Sequence, residues 1–275
     1  MERTAPARAL LGWLCMAFAI STGAQEPGAE VFSREVDMRL AVPPDEQQAY
    51  AKRLEDALAR AGLSGLAPQY VVLVDRSPAV QAAFVYLRMS GADLEFVGAS
   101  PASTGLPGTF DHFRTPLGVF EHSLANRDFR AEGTVNKNGI RGYGRKGMRV
   151  FDFGWAMAER GWKPYGLGVM RLQMHATDPD LLEKQLGAAR SKGCIRIPAS
   201  LDAFIDRHGL LDADYEEAAM RGVHLWVLPA DYLPVQWPGR YLVVVDSGRK
   251  ARPQWSPLPP KRRSGPARIS LAEAC

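Results

Sequence analysis

Cysteine is scarce in this chain. Of 275 residues only Cys15, Cys194 and Cys275 are cysteines. None forms a C-x-x-C pair, and no two of the five histidines stand four apart. Residue usage therefore gives no support for a metal site. Apolar runs are short as well. After residue 24 none approaches the ~20 residues that a membrane helix needs. The glycine-rich stretch 136–168 lacks the G-x-x-x-x-G-K-[ST] pattern of a phosphate-binding loop. There are no internal repeats.

What is present begins with a leader. Arg3 and Arg8 form a basic start, Ala9 to Ile20 an apolar stretch too short to span, and Thr22 and Ala24 small residues placed for cleavage. Residues 1–24 read as a secretory signal, which implies export to the periplasm or beyond and no transmembrane span once it is removed. The net charge of +4 conceals an uneven distribution: +1 in the leader, −3 over 25–247 and +6 over 248–275. The last segment is basic and proline-rich and reads as a disordered tail. No nucleic-acid partner is expected of a mildly acidic body.

Residues 25–43 read as irregular. Residues 45–62 carry Tyr50, Leu54, Leu58 and Ala61 at helical spacing, with Gly62 as the stop. Residues 25–68 thus form a helical appendage packed on the main domain, 69–247. In that domain strand patterns fall at 70–75, 82–89, 93–100, 116–122, 148–154, 168–175, 223–228 and 240–246. Close spacing and turn-like connections argue for a mainly β, antiparallel sandwich or barrel-like fold. Three short helices interrupt it: 179–186 capped by Asp178, 201–208 capped by Ser200 and ended by Gly209, and 213–221 before Gly222. The stretch 136–168 between strands reads as a wall or lid over a site, with Trp155 and Trp162 as candidate substrate contacts. Two buried core tryptophans are the plain alternative.

Once the leader is gone, Cys194 is the only cysteine in the body of the chain. It sits in Ala189-Arg-Ser-Lys-Gly-Cys-Ile-Arg-Ile-Pro198. A packed apolar side chain, half of a disulfide and a nucleophile are all open readings. An oxidising compartment permits a bridge to Cys275, but such a bridge would silence Cys194, and an unbridged thiol is the expectation here. A thiol attacks as the thiolate and needs a base or a positive field. His175 ends a strand pattern, and the 15 residues between it and Ser191 allow the chain to return beside it. His112 is a weaker candidate to line a groove.

The string H-A-T-D-P followed by S-K-G-C-I-R-I-P closely resembles the active-site signature of the L,D-transpeptidase (YkuD-type) family. "SPASTG" (100–105) and "TPLGVF" (115–120) resemble that family's approach to its site, and the resemblance covers about 70–246. It implies an L,D-transpeptidase catalytic domain acting on peptidoglycan stem peptides. Cys194 is then the nucleophile and His175 the general base and acid, oriented by a backbone carbonyl near the histidine, here that of Ala176. The Gly193 and Cys194 N–H groups are the oxyanion hole. Arg196, Ser191 and Lys192 join Trp155 and Trp162 as substrate contacts, with Arg196 either holding a stem-peptide carboxylate or bracing the loop. Many relatives carry His where Lys192 stands, so a second histidine is not needed for the base role. No cofactor or metal is implied, and carbapenems are expected inhibitors. The same resemblance leaves open a carboxypeptidase or endopeptidase with water as acceptor. A non-catalytic wall-binding protein is the alternative of another class.

Overall fold

The computed structural model describes residues 28–258, with two helices at the N-terminal end, nine strands and two later helices. The signal segment, Cys15, Cys275 and the far part of the basic tail lie outside the described residues. Five strands form one sheet in the order β3-β2-β1-β9-β4: β3 Leu94–Pro101, β2 Ala82–Arg88, β1 Gln69–Asp75, β9 Tyr241–Val245 and β4 Gly118–Glu121. Four form a second sheet in the order β5-β6-β7-β8: β5 Phe129–Arg130, β6 Arg149–Arg160, β7 Gly166–Ala176 and β8 Ile195–Ile197. The mainly β expectation holds, but neither sheet is closed into a barrel or purely antiparallel. β1 runs parallel to β9, and β7 parallel to β8. The long crossovers that such pairs require are supplied by the chain between them.

β1 is buried along its whole length because both faces of its sheet are covered. One face meets helix α2, Pro44–Arg60, through Tyr50, Leu54, Ala57 and Leu58. Tyr50 stacks on Phe84 and donates its hydroxyl to Asp75 Oδ2 at 2.7 Å. The other face packs on the second sheet. There Val72, Val74 and Val85 meet Phe151, Leu172, Met174, Ile195 and Ile197, and helix α3 (Ala199–His208) adds Leu201, Phe204 and Ile205.

Several local readings change. Residues 29–35 form helix α1, whose Phe32 enters the core, where an irregular segment was expected. The stretch 179–186 makes only a single tight turn at 183–185, whose cap position is Leu182; Asp178 caps no helix, and its Oδ1 instead accepts from the N–H groups of Asp180 and Leu181 in the preceding turn. Ser200 does not cap α3, which starts behind Pro198; its Oγ instead accepts from the Asp37 N–H. Gly209 ends α3 in the left-handed conformation, as its sequence position suggested. Helix α4, Ala213–Met220, forms as read. Residues 223–228 are no strand; they find no sheet edge to pair with, and Val223 and Trp226 are exposed. The start of the basic tail packs back on the body: Trp255 lies edge-on to Tyr50 and Phe84, and Ser256 bonds to the Ala79 and Val80 carbonyls.

The charged side of the interior is one network. Arg149 is fully buried and contacts Asp128 at 2.6 Å and Asp212 at 2.8 and 2.7 Å. Asp128 also accepts from His122 Nε2 at 2.9 Å and from the Asp152 N–H. His122 Nδ1 lies 2.7 Å from the Leu211 carbonyl. Both ring nitrogens therefore face acceptors, and geometry makes the ring an imidazolium. Burial opposes that charge, but Asp128 outweighs it and raises the His122 pKa. The network ties β6 to α4 and to the loops after β4, bracing the second sheet beneath the site described next.

Candidate active site

The site forms on the face of the second sheet turned away from the core. Residues along a strand alternate between faces. On β7, Met170, Leu172 and Met174 enter the core, so Arg171, Gln173 and His175 take the other side. On β8, Ile195 and Ile197 enter the core, and Arg196 pairs directly with His175. Cys194, two residues before Arg196, is also absent from the core cluster and is almost completely buried. Its Sγ lies 4.0 Å from the Arg171 carbonyl oxygen. Thus Cys194 immediately precedes β8, the strand that runs parallel to β7 and its His175.

His175 is fully buried, and its Nδ1 donates to the Ala176 carbonyl at 2.7 Å. That bond leaves the lone pair on Nε2, which is buried with no hydrogen-bond partner among the described residues. Burial lowers the His175 pKa to about 3; the Ala176 bond opposes the shift and nearby Arg196 adds to it. The ring is therefore a neutral base at working pH.

Cys194 is disulfide-bonded. The expectation of an unbridged thiol is corrected here, and any nucleophilic role belongs to the reduced form.

The turn before the cysteine is closely held. Gly193 has φ +141°, and a Cβ there would meet Met170 Cε and Sδ at 2.7 Å. Its carbonyl accepts from Thr115 Oγ1 at 2.7 Å. Its N–H, expected as an oxyanion donor, instead donates to Ser191 Oγ at 3.1 Å. Ser191, expected among the substrate contacts, is fully buried, and its Oγ donates to the Cys194 carbonyl at 2.5 Å. The Ser191 hydroxyl is thus consumed in shaping the turn. Lys192 points outward and pairs with Asp111 at 3.0 Å. Arg196 is buried, which lowers its pKa to about 10, and its backbone pairs with Ser103 in both directions. A buried guanidinium beside His175 suits a bracing role at least as well as a carboxylate clamp.

The expected lid divides in two. Within it, residues 149–160 and 166–168 belong to the long β6–β7 hairpin, which extends the strands expected at 148–154 and 168–175. Only the segment before it covers the site, through Tyr143, whose ring meets His175 edge-on at 4.7 Å while its hydroxyl donates to Gln173 Oε1 at 3.3 Å. Trp162 sits at the hairpin turn against Phe113 and Phe110. Trp155 lies on the open face of β6, 68% exposed, so the core alternative does not apply to it. His112 is mostly buried and places Nδ1 3.2 Å from the Leu106 carbonyl; burial lowers its pKa.

Sequence reading missed Tyr143, Gln173 and Thr115. Thr115 lies inside a quoted motif, but its partners Gly105 and Gly193 are remote in sequence. Among the described residues no group of three His, Cys, Asp or Glu side chains is placed to hold a metal, and no helix is long and apolar enough to cross a membrane.

No family model matches the chain, and no curated protein matches it. A similar solved structure is a point mutant of the helical cell shape determining protein Pgp2 from Campylobacter jejuni, at 16% identity and a TM-score of 0.30. The match covers 68% of this chain and 50% of that one, so this chain spans about half of that protein's length. At that TM-score the likeness carries no argument about fold or chemistry.

Proposed function

We propose that the reduced protein is a periplasmic L,D-transpeptidase that cross-links peptidoglycan stem peptides. One observation supports the reading: the Ala176 carbonyl holds the His175 ring as the Nδ1–H tautomer, leaving Nε2 as an unprotonated base on β7, the strand that pairs with the strand following Cys194. This is the arrangement the signature around both residues implies.

In the proposed reaction His175 Nε2 takes the Cys194 proton as Sγ attacks the carbonyl that links a diamino acid to a terminal D-amino acid. The C–N bond breaks as His175 returns that proton to the leaving amine. A thioester remains on Cys194. An amine of a second stem then attacks the thioester and gives its proton to Nε2, which returns it to the departing thiolate. The Gly193–Cys194 backbone stabilises the oxyanion. For Gly193 this requires its N–H to exchange the Ser191 hydroxyl for the oxyanion. Carbapenems acylate the same thiol in this reading.

The test is incubation of reduced protein and of Cys194→Ala with a disaccharide-tetrapeptide, read by mass spectrometry. Loss of the terminal D-amino acid with a cross-linked dimer supports transpeptidation. Loss without dimer makes water the acceptor and the protein a carboxypeptidase. No change with reduced protein overturns the enzymatic reading.

The bonded state of Cys194 favours a second reading, a non-catalytic wall-binding domain stapled by its disulfide. Reduction would then leave wall binding intact and produce no turnover.

A further inference from the structure

The outer face of the second sheet does not stop at the candidate site. Beyond Gln173 the same alternation carries it along the hairpin to Arg171, Val169 and Leu167 on β7, and to Trp155, Met157 and Glu159 on β6. Trp155 pairs with Arg171 and Met157 with Val169 in the hairpin register. All of these apolar side chains are exposed, Trp155 at 68%. The strip is small, so its meaning rests on how its side chains are held rather than on its area.

The strip is built rather than incidental. The Arg171 guanidinium lies over the Trp155 ring, 5.4 Å from its centroid. Arg171 is itself held by Asp152 Oδ2 at 2.7 Å, and Asp152 Oδ2 also accepts from Gln173 Nε2 at 2.8 Å. Trp155 is therefore backed and pre-organised through the same carboxylate that positions Gln173 next to the site. Pre-organised aromatic surface binds with less ordering cost than a mobile side chain.

Its size limits the occupant. Five residues on each of two strands make a face about 17 Å long and about 10 Å wide, far below the ~800 Å² per partner of a stable protein interface. A second copy of this chain is poorly served by so narrow a strip; an extended chain of small rings is served well. A flat exposed indole, a flanking apolar ridge and charged Glu159 and Arg171 at the rim match pyranose rings. Such rings present C–H faces to an aromatic surface and hydroxyl and amide groups to polar side chains.

We infer that the Trp155 strip is a saccharide subsite that holds the glycan portion of the substrate while its peptide reaches Cys194. The choice of sugar, a β-1,4-linked N-acetylhexosamine chain, rests on the peptidoglycan reading above. The subsite itself is testable without turnover.

The experiment titrates the full protein with an N-acetylglucosamine oligomer, followed by calorimetry and amide chemical shifts. Saturable binding is expected, weakened at least tenfold in Trp155→Ala and unchanged in Trp226→Ala, whose indole is 65% exposed elsewhere. Wild-type protein that binds the oligomer through Trp155 yet turns over no muropeptide leaves the subsite standing and sinks only the enzymatic reading. No oligomer binding, or equal binding by Trp155→Ala, overturns the subsite whether or not turnover occurs. Sedimentation showing a dimer that Trp155→Ala dissolves also overturns it, since a second copy would then cover the strip.

Discussion

Thr115 donates its hydroxyl to the Gly193 carbonyl at 2.7 Å while accepting the Gly105 N–H at 2.8 Å, so one buried side chain ties two distant segments to the cysteine turn. Thr115→Val keeps the shape and leaves a buried carbonyl and a buried N–H unsatisfied, a cost of about 1–3 kcal/mol for each. Urea unfolding should show the loss, and Thr115→Ser should recover most of it. Under the proposed function, turnover in Thr115→Val should fall roughly tenfold to a hundredfold, because the turn carries the nucleophile. Equal stability and turnover in the two variants would remove Thr115 from this role.

Gly105 is expected to tolerate no side chain. A Cβ there would lie 2.1 Å from the Phe113 carbonyl oxygen and 2.9 Å from Gly193 Cα, both backbone atoms that cannot swing aside. Gly105→Ala should therefore cost about 1–3 kcal/mol or more and shift the amide resonances of 191–194. Wild-type spectra there would contradict the packing.

Under the proposed function, reduction should switch the chemistry on. Cys194 is disulfide-bonded, so a thiol count on the native protein should find no reactive Cys194 until dithiothreitol is added. Carbapenem labelling should follow the same dependence. Labelling without reductant would show that the bonded form does not persist in solution.

The two buried histidines should titrate in opposite directions. His175, held at about 3, should stay neutral by nitrogen-detected NMR down to about pH 4. Its pKa lies below the unfolded value of about 6.5, so the unfolded state binds the proton first, and stability is lost as pH falls from about 6.5 toward 3. His122 is raised, chiefly by Asp128 acting against burial. Its contribution is fully present below about pH 6.5 and is lost as pH rises through the folded value. An imidazolium at His122 persisting to higher pH than in an unfolded histidine is the expected signal; a ring that deprotonates below the unfolded value would refute the network.

Arg149 neutralises Asp128 and Asp212 with no solvent access of its own. Burial opposes its charge, but the two carboxylates outweigh that and raise its pKa. Arg149→Met should cost about 3–5 kcal/mol, because it leaves buried carboxylates uncompensated. Thermal unfolding of the variant measures this directly. A loss under 1 kcal/mol would mean that water reaches the network.

Much of this molecule was legible from local pattern. The run Tyr70-Val-Val-Leu-Val-Asp75 has no polar alternation because both faces of its strand are covered, and it reads as strand on composition alone. Tyr50, Leu54 and Leu58 mark one helical face. The S-K-G-C turn and the histidine before it stand out as a motif. Other elements were not legible. β8 is three residues long and is a strand only because β7 lies beside it. Residues 223–228 alternate like a strand but have no edge to join.

The sequence by itself determined which residues can bury themselves, where α3 stops and which cysteine and histidine stand in the motif, since these follow from side-chain identity and short-range spacing. The tertiary structure decided which groups meet. Parallel pairing of β7 with β8 places Arg196 beside His175. Ser191 is spent on its own turn, Tyr143 arrives edge-on from a loop 32 residues before His175, and Trp155 falls on the reactive face after an irregularity in β6. Register, strand direction and the one-residue shifts of a bulge depend on contacts between segments far apart in the chain, and no local spacing encodes them.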